Sequence, residues 1–193
     1  MDDKDTLHRY LRAQRTSLVG KLDGLGEYEI RRPMTPTGTN LLGLVKHVAS
    51  VQLGYFGGVF DRPSGRDLPW DADDAEVNAD MWATADETRA EILELHEFSA
   101  AHSDATIEAL PLDAPGVVPW WGERGDVTLH QMLVHMCVET ARHAGHADIV
   151  RELVDGAVGS RQDDPNIPTI DWPAYRAQLE AAARQAEAAS TRP

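Results

Sequence analysis

The chain has 193 residues, 42% of them hydrophobic, which suits one domain with a real core and excludes a chain disordered throughout. A net charge of −14 disfavours attraction to nucleic acid or anionic membranes, and no run of about 18 apolar residues offers a transmembrane helix. The polar start MDDKDTLHRYLRAQR lacks the apolar centre of a signal peptide, and the single cysteine, Cys137, excludes an internal disulfide and fits a reducing, cytoplasmic setting.

Five helical segments are predicted. The first spans about Asp5 to Leu25, with Leu7, Leu11, Leu18, Leu22 and Leu25 on one side and Gly24 and Gly26 ending it. Pro33 and Pro36 make the following stretch a loop. The second helix starts at the capping residues Thr39 and Asn40 and runs to about Phe60, followed by a Pro/Gly/Asp-rich loop, Asp61 to Asp74. The third covers Thr84 to Leu110, with Asp86 and Glu87 in its first turn, where they suit the helix dipole. A loop from Pro111 to Asp126 carries Trp120 and Trp121, and the fourth helix runs from Thr128 to about Asp155. Gly156 to Thr169 reads as irregular, with a turn at Asp163-Asp164-Pro165-Asn166, before a fifth helix from Asp171 to about Ala189. No segment alternates as a strand would. The expected fold is all-α: an up-down-type four-helix bundle with an extra C-terminal helix. It forms one domain over 1–193, with its core at about 5–155 and a loop plus terminal helix over 156–193.

The fourth helix holds the chemistry. Its inward positions step by three and four: Leu129, Met132, Met136, Glu139, His143, His146, Val150 and Leu153. Three consecutive members of that apolar seam are Glu139, His143 and His146. A buried carboxylate or imidazole is costly unless paired or bound to a metal. Glu139 and His143 lie one turn apart on one face, so both reach one ion. A third ligand is expected from another helix, and His47, sharing a face with Leu44, Val48 and Val51, is the best candidate. By composition alone, His47 reads more readily as a core histidine hydrogen-bonded to a neighbour. A His/Glu/His set suits zinc first, then nickel or iron.

Other residues rank lower. His146 reads as a ligand, a partner orienting Glu139 or His143, or a structural residue. His135, Glu139 and His143 form a stripe spread over about 12 Å, too long for one ion. Cys137 faces away from Glu139 and reads as a small buried hydrophobe. His8, His96, His102 and His130 read as surface or bundle-edge residues. Trp120 and Trp121 read as structural or as a wall over the open end of a metal site, and Arg31, Arg32 and Arg142 as solvated charges or carboxylate binders. Phosphate loops, nucleophile elbows and His-Glu-x-x-His are absent from the sequence.

At these residues the chain resembles the DinB/YfiT-like superfamily of metalloenzymes, whose four-helix bundle carries a metal near one end. Leu44-Val45-Lys46-His47-Val48-Ala49 is similar to the superfamily's second-helix ligand element, and Glu139-Thr140-Ala141-Arg142-His143-Ala144-Gly145-His146 to its fourth-helix pair. Glu139 stands where histidine is common, and Ala144-Gly145-His146 where Arg-Gly-Gln is common. The glutamate version looks like the actinobacterial branch with mycothiol-dependent enzymes, such as maleylpyruvate isomerase and mycothiol S-transferases. The resemblance extends from Asn40-Leu41-Leu42-Gly43 through Val118-Pro119-Trp120-Trp121-Gly122 to Asp148-Ile149-Val150-Arg151-Glu152.

The resemblance implies His47, Glu139 and His143 as metal ligands and a metal-bound thiol, mycothiol or a related small thiol, as co-substrate. The thiolate attacks an electrophilic second substrate, in a homodimer paired through helices. Two alternatives are a hydrolase using the same ion to activate water, and a non-enzymatic stress-response bundle whose metal is structural and closed by four protein ligands. A metal-free bundle with paired Glu and His side chains is a third.

Overall fold

The computed structural model describes residues 2–72, 74–160 and 166–190; the turn expected at Asp163, Asp164 and Pro165 lies outside them. Four long helices form the bundle: α1 (Asp3–Gly20), α3 (Leu41–Phe56), α4 (Arg89–Ala109) and α5 (Leu129–Asp155). A short α2 (Glu27–Arg31) follows α1, and α6 (Trp172–Ser190) follows the bundle. Side-chain caps begin each long helix: Asp2, Asn40, Thr88 and Thr128 each accept a hydrogen bond from a backbone N–H three residues on.

Helix α4 starts later than Thr84 because the sequence offers two Thr-x-x-Glu boxes in tandem. The second, Thr88 with Glu91, closes reciprocally and begins the helix, whereas Glu87 only accepts from the Thr84 N–H. Helix α3 stops at Phe56, ahead of Gly57-Gly58, rather than at Phe60. One element escaped the sequence reading: β1 (Pro115–Val117) pairs antiparallel with β2 (Asp126–Thr128), and Trp120 and Trp121 lie between them. Strands of three residues are too short to show alternation.

Pairwise contacts set the helix directions. Leu7 meets Cys137 while Lys21 meets Asp148, so α1 and α5 run parallel. Lys46 meets Glu87, and Ala49 and Leu53 pack on Leu95, so α3 and α4 also run parallel. His47 meets Glu139 while Tyr55 meets His135, so α3 and α5 are antiparallel. The order is up, down, down, up, and the segment 57–88 is the long crossover that this order requires.

Two apolar clusters fill the bundle. One gathers Leu18, Leu42, Val45, Val48, Ile92, Ala144 and Ala147, and the other Leu11, Phe56, Ile107, Met132 and Met136. Between them each helix contributes buried polar side chains: Arg15, Gln52, His96 with Ser99 and Ser103, and Thr140. Arg15 pairs with Asp104 at 2.5 Å, and His8 with the same carboxylate at 2.7 Å. His8 and His96, 8% and 6% exposed, are therefore interior residues rather than bundle-edge ones; His8 pairs with Asp104 across the bundle, which sequence spacing does not reveal.

Burial, then the nearby Arg15 guanidinium, push His96 down to about 4. In the unfolded chain it titrates near its ordinary value of about 6.5. Stability contributed by its neutral form is complete above pH 6.5 and falls as pH drops toward 4, below which this dependence flattens. We expect a loss of about 2–3 kcal/mol between pH 6.5 and 4.5 that a His96→Leu variant lacks, measured as urea unfolding free energies.

Helix α6 buries none of its residues; Trp172, Tyr175 and Leu179 are all exposed. Ser17 and Lys21 bond to the carbonyls of Ser160 and Gly159, which ties the segment ahead of it to the body. A chain ending at Ser160 is expected to keep its melting temperature within about 2 °C, as exposed segments contribute little.

Candidate metal centre

The half-buried side chains of α3 and α5 face one another across a solvent-open seam. From α3 comes His47, and from α5 come Glu139 and His143. The Nε2 atoms of His47 and His143 lie 3.3 and 3.0 Å from the same oxygen, Oε1 of Glu139, and the two rings meet edge to face at 4.7 Å. One ligand atom from each residue falls within a 4.8 Å span. Tetrahedral bonds of about 2.0–2.2 Å place neighbouring ligand atoms roughly 3.3 Å apart, so the donor set fits one ion. The side chains of His47, Glu139 and His143 retain 17%, 26% and 11% exposure, leaving one flank facing solvent.

A fourth group organises the site. Asp80, in the crossover, accepts a hydrogen bond from Nδ1 of His47 at 2.6 Å. That bond orients the ring so that Nε2 faces Glu139; a carboxylate partner on Nδ1 is the arrangement metal-binding imidazoles use. The crossover reaches His47 because α3 begins with Asn40 and Gly43. Asn40 donates to the Met81 carbonyl, and a Cβ on Gly43 would sit 1.8 Å from that carbonyl oxygen, so only glycine fits. Lys46, 2% exposed, completes the anchor: its ammonium donates to the carbonyls of Ala79 and Trp82, pairs with Glu87 at 2.7 Å and lies 3.8 Å from the Trp70 ring centre.

Electrostatics follow from this packing. Burial works against an imidazolium at His47, but hydrogen bonds from Asp80 and Glu139 outweigh it and raise its pKa. Both ring nitrogens of His47 thus face carboxylates, a setting that favours a cation. The His47 contact holds Asp80 below the usual carboxylate range. Burial pushes Glu139 up, yet His47 and His143 bring it below its ordinary value. Burial and the neighbouring His47 lower His143.

The helical wheel runs differently from the expected seam beyond His143. The buried stripe of α5 passes through Met136, Thr140, Ala144, Ala147 and Arg151, leaving His146 exposed and Leu153 60% exposed. Val150 keeps its expected place in the core at 3% exposure, whereas His146 and Leu153 leave it, as a straight helix at 3.6 residues per turn drifts from a seven-residue repeat. His146 only meets the His143 ring edge-on at 5.5 Å and stands outside the triad. His135 lies a turn before Glu139, among Tyr55 and Trp121.

Cys137 points to α1, its thiol bonded to the Leu7 carbonyl and its pKa raised by burial. Arg31 binds Glu27 and the carbonyls of Thr84 and Glu87, a structural role, and Arg142 is exposed. Asp80 is the site residue sequence reasoning missed; it lies in a single 3-10 turn, Ala79–Met81, within the crossover, 33 positions from His47.

A family model described as mycothiol-S-transferase matches residues 6–156, the bundle without α6. No curated protein and no solved structure matches the chain.

Proposed function

Because this chain belongs to the mycothiol-S-transferase family, we propose that it is a metal-dependent S-transferase whose ion, zinc first, is held by His47, Glu139 and His143. The observation that carries this reading is the three converging ligand atoms with one flank open to solvent. A closed structural zinc takes four protein ligands, whereas three with an open position suit catalysis. An ion held there would lower the pKa of a bound thiol so that thiolate is present at neutral pH.

The chain's own residues do the rest. Glu139 would offset part of the ionic charge, and His47, oriented by Asp80 at Nδ1, would offer Nε2 to the ion once that nitrogen has lost its proton. The thiol of mycothiol loses its proton to solvent. Its sulfur forms a bond to the electrophilic carbon of the second substrate as the bond to the leaving group breaks and the leaving group departs with the electron pair.

The test is metal content by plasma mass spectrometry, followed by turnover. Wild-type protein is expected to carry about one zinc per chain and the His47→Ala variant close to none. Zinc-loaded protein should accelerate loss of mycothiol thiol in the presence of an alkyl halide. No metal uptake after reloading overturns the site; uptake without acceleration keeps the site and overturns the transferase reading.

A further inference from the structure

The seam that holds the triad continues past it. On α3 the half-exposed positions are His47, Val51 and Tyr55; on the antiparallel α5 they are His143, Glu139 and His135. Each row steps by four residues, so both line one groove, and the triad and the aromatic end are about 12 Å apart at about 1.5 Å per residue. Glu139 stands a single turn, about 6 Å, from His135.

At the far end the groove is walled by rings. Tyr55 lies 4.7 Å from His135, 5.9 Å from Trp121 and 5.4 Å from Trp120, and Trp121 lies 5.0 Å from His135. Tyr55 and Trp121 also pack against the core, which gives them a structural role. Trp120 has no such duty. It is 59% exposed, yet held: its Nε1–H donates to the Tyr55 hydroxyl at 3.4 Å, and its six-membered ring lies 3.5 Å from where a Cβ of Gly54 would be. A large side chain at position 54 would displace the indole, so a bare helix surface and an exposed ring coincide at this end of the seam. Fixed aromatic faces favour flat, apolar partners through offset or edge-to-face stacking. Burial lowers the pKa of His135.

We propose that Tyr55, Trp120, Trp121 and His135 form the subsite for the second substrate, and that it takes the flat aromatic body of a neutral electrophile whose reactive carbon extends toward the triad. This rests on the transferase reading for its role, but not for the binding itself.

Two measurements separate the two. The first compares iodoacetamide with its N-phenyl analogue iodoacetanilide in the zinc-loaded, mycothiol-dependent reaction, corrected for the uncatalysed rates. The phenyl compound is expected to have a kcat/KM at least about tenfold higher, and that ratio should fall to within about twofold of unity in Trp120→Ala and in Tyr55→Leu. The second uses the unreactive acetanilide with metal-free protein, read by saturation-transfer NMR. Its ring protons should take up saturation from wild-type protein and lose it in Trp120→Ala, whose exposed side chain is not needed for folding. Turnover without phenyl preference overturns the subsite while leaving the transferase reading intact. Acetanilide binding that Trp120→Ala abolishes upholds the subsite even if neither electrophile is turned over. Acetanilide that does not bind, or that binds Trp120→Ala as well as wild type, overturns it.

Discussion

Glu139→Gln is expected to lower zinc affinity several hundredfold and mycothiol-dependent turnover with it, while leaving the metal-free protein folded. Structural zinc sites gain roughly 10–16 kcal/mol from about four ligands, so one ligand corresponds to roughly 2.5–4 kcal/mol, with several hundredfold toward the upper part of that range. The amide keeps the shape of the carboxylate and one acceptor oxygen for His47 and His143, so the helix seam closes as before. What disappears is the negative charge that offsets the ion and the stronger oxygen donor. Competition against a chelating dye gives the affinity, and circular dichroism of the metal-free protein gives the control. Unchanged affinity in Glu139→Gln would remove this carboxylate from the ligand set. A related expectation concerns stability. Since α1 packs chiefly with α5 and α3 with α4, an ion shared by α3 and α5 ties two helix pairs together. Chelation should therefore lower the melting temperature of wild type and leave that of Glu139→Gln nearly unmoved.

Lys46→Met carries the second large effect, this time on the fold. The substitution keeps length and apolar stem but strands Glu87 and the carbonyls of Ala79 and Trp82, which now share one ammonium. Removing one partner of a buried ion pair costs about 3–5 kcal/mol, and the partial exposure of Glu87 (22%) places this case at the low end, about 3 kcal/mol. Urea unfolding of the metal-free protein measures it. Adding Glu87→Gln to Lys46→Met should recover part of the loss, because the stranded charge is then gone. Lys46 also pins the turn that carries Asp80, so zinc affinity should fall about tenfold, as it does when a partner that orients a ligating histidine is lost. Intact affinity in Lys46→Met would show that Asn40 and Gly43 alone position Asp80.

The contrast between these two residues shows what sequence could and could not reveal. Glu139 and His143 are neighbours on one helix, and their four-residue spacing makes their proximity a matter of helical geometry. His47 was legible for a similar reason: its helix is apolar enough to declare which face turns inward. Asp80 was not legible, since it reaches His47 through a crossover without periodic structure, and its position depends on Gly43, Lys46 and the Met81 carbonyl together. The inward face of α5 was read well as far as His143 and only in part after it: Val150 is buried, but His146 and Leu153 are exposed, because steps of three and four describe a seven-residue repeat better than a long straight helix. The polar interior was missed altogether. Arg15, His96 and Asp104 find one another across helices α1 and α4, and each looks in isolation like a solvated residue.

That polar interior also works as an alignment key for the bundle. Apolar layers alone tolerate a helix sliding by one turn, since one leucine replaces another at about 5.4 Å intervals. Here each long helix carries polar groups at one level, Arg15, Gln52, Ser99 with Ser103, and Thr140, with leucine, isoleucine or other apolar residues above and below. Slippage of α3 by a turn would press Gln52 into hydrocarbon and carry His47 away from Glu139 together. The same layer that penalises the wrong alignment therefore sets the height at which the two halves of the triad meet.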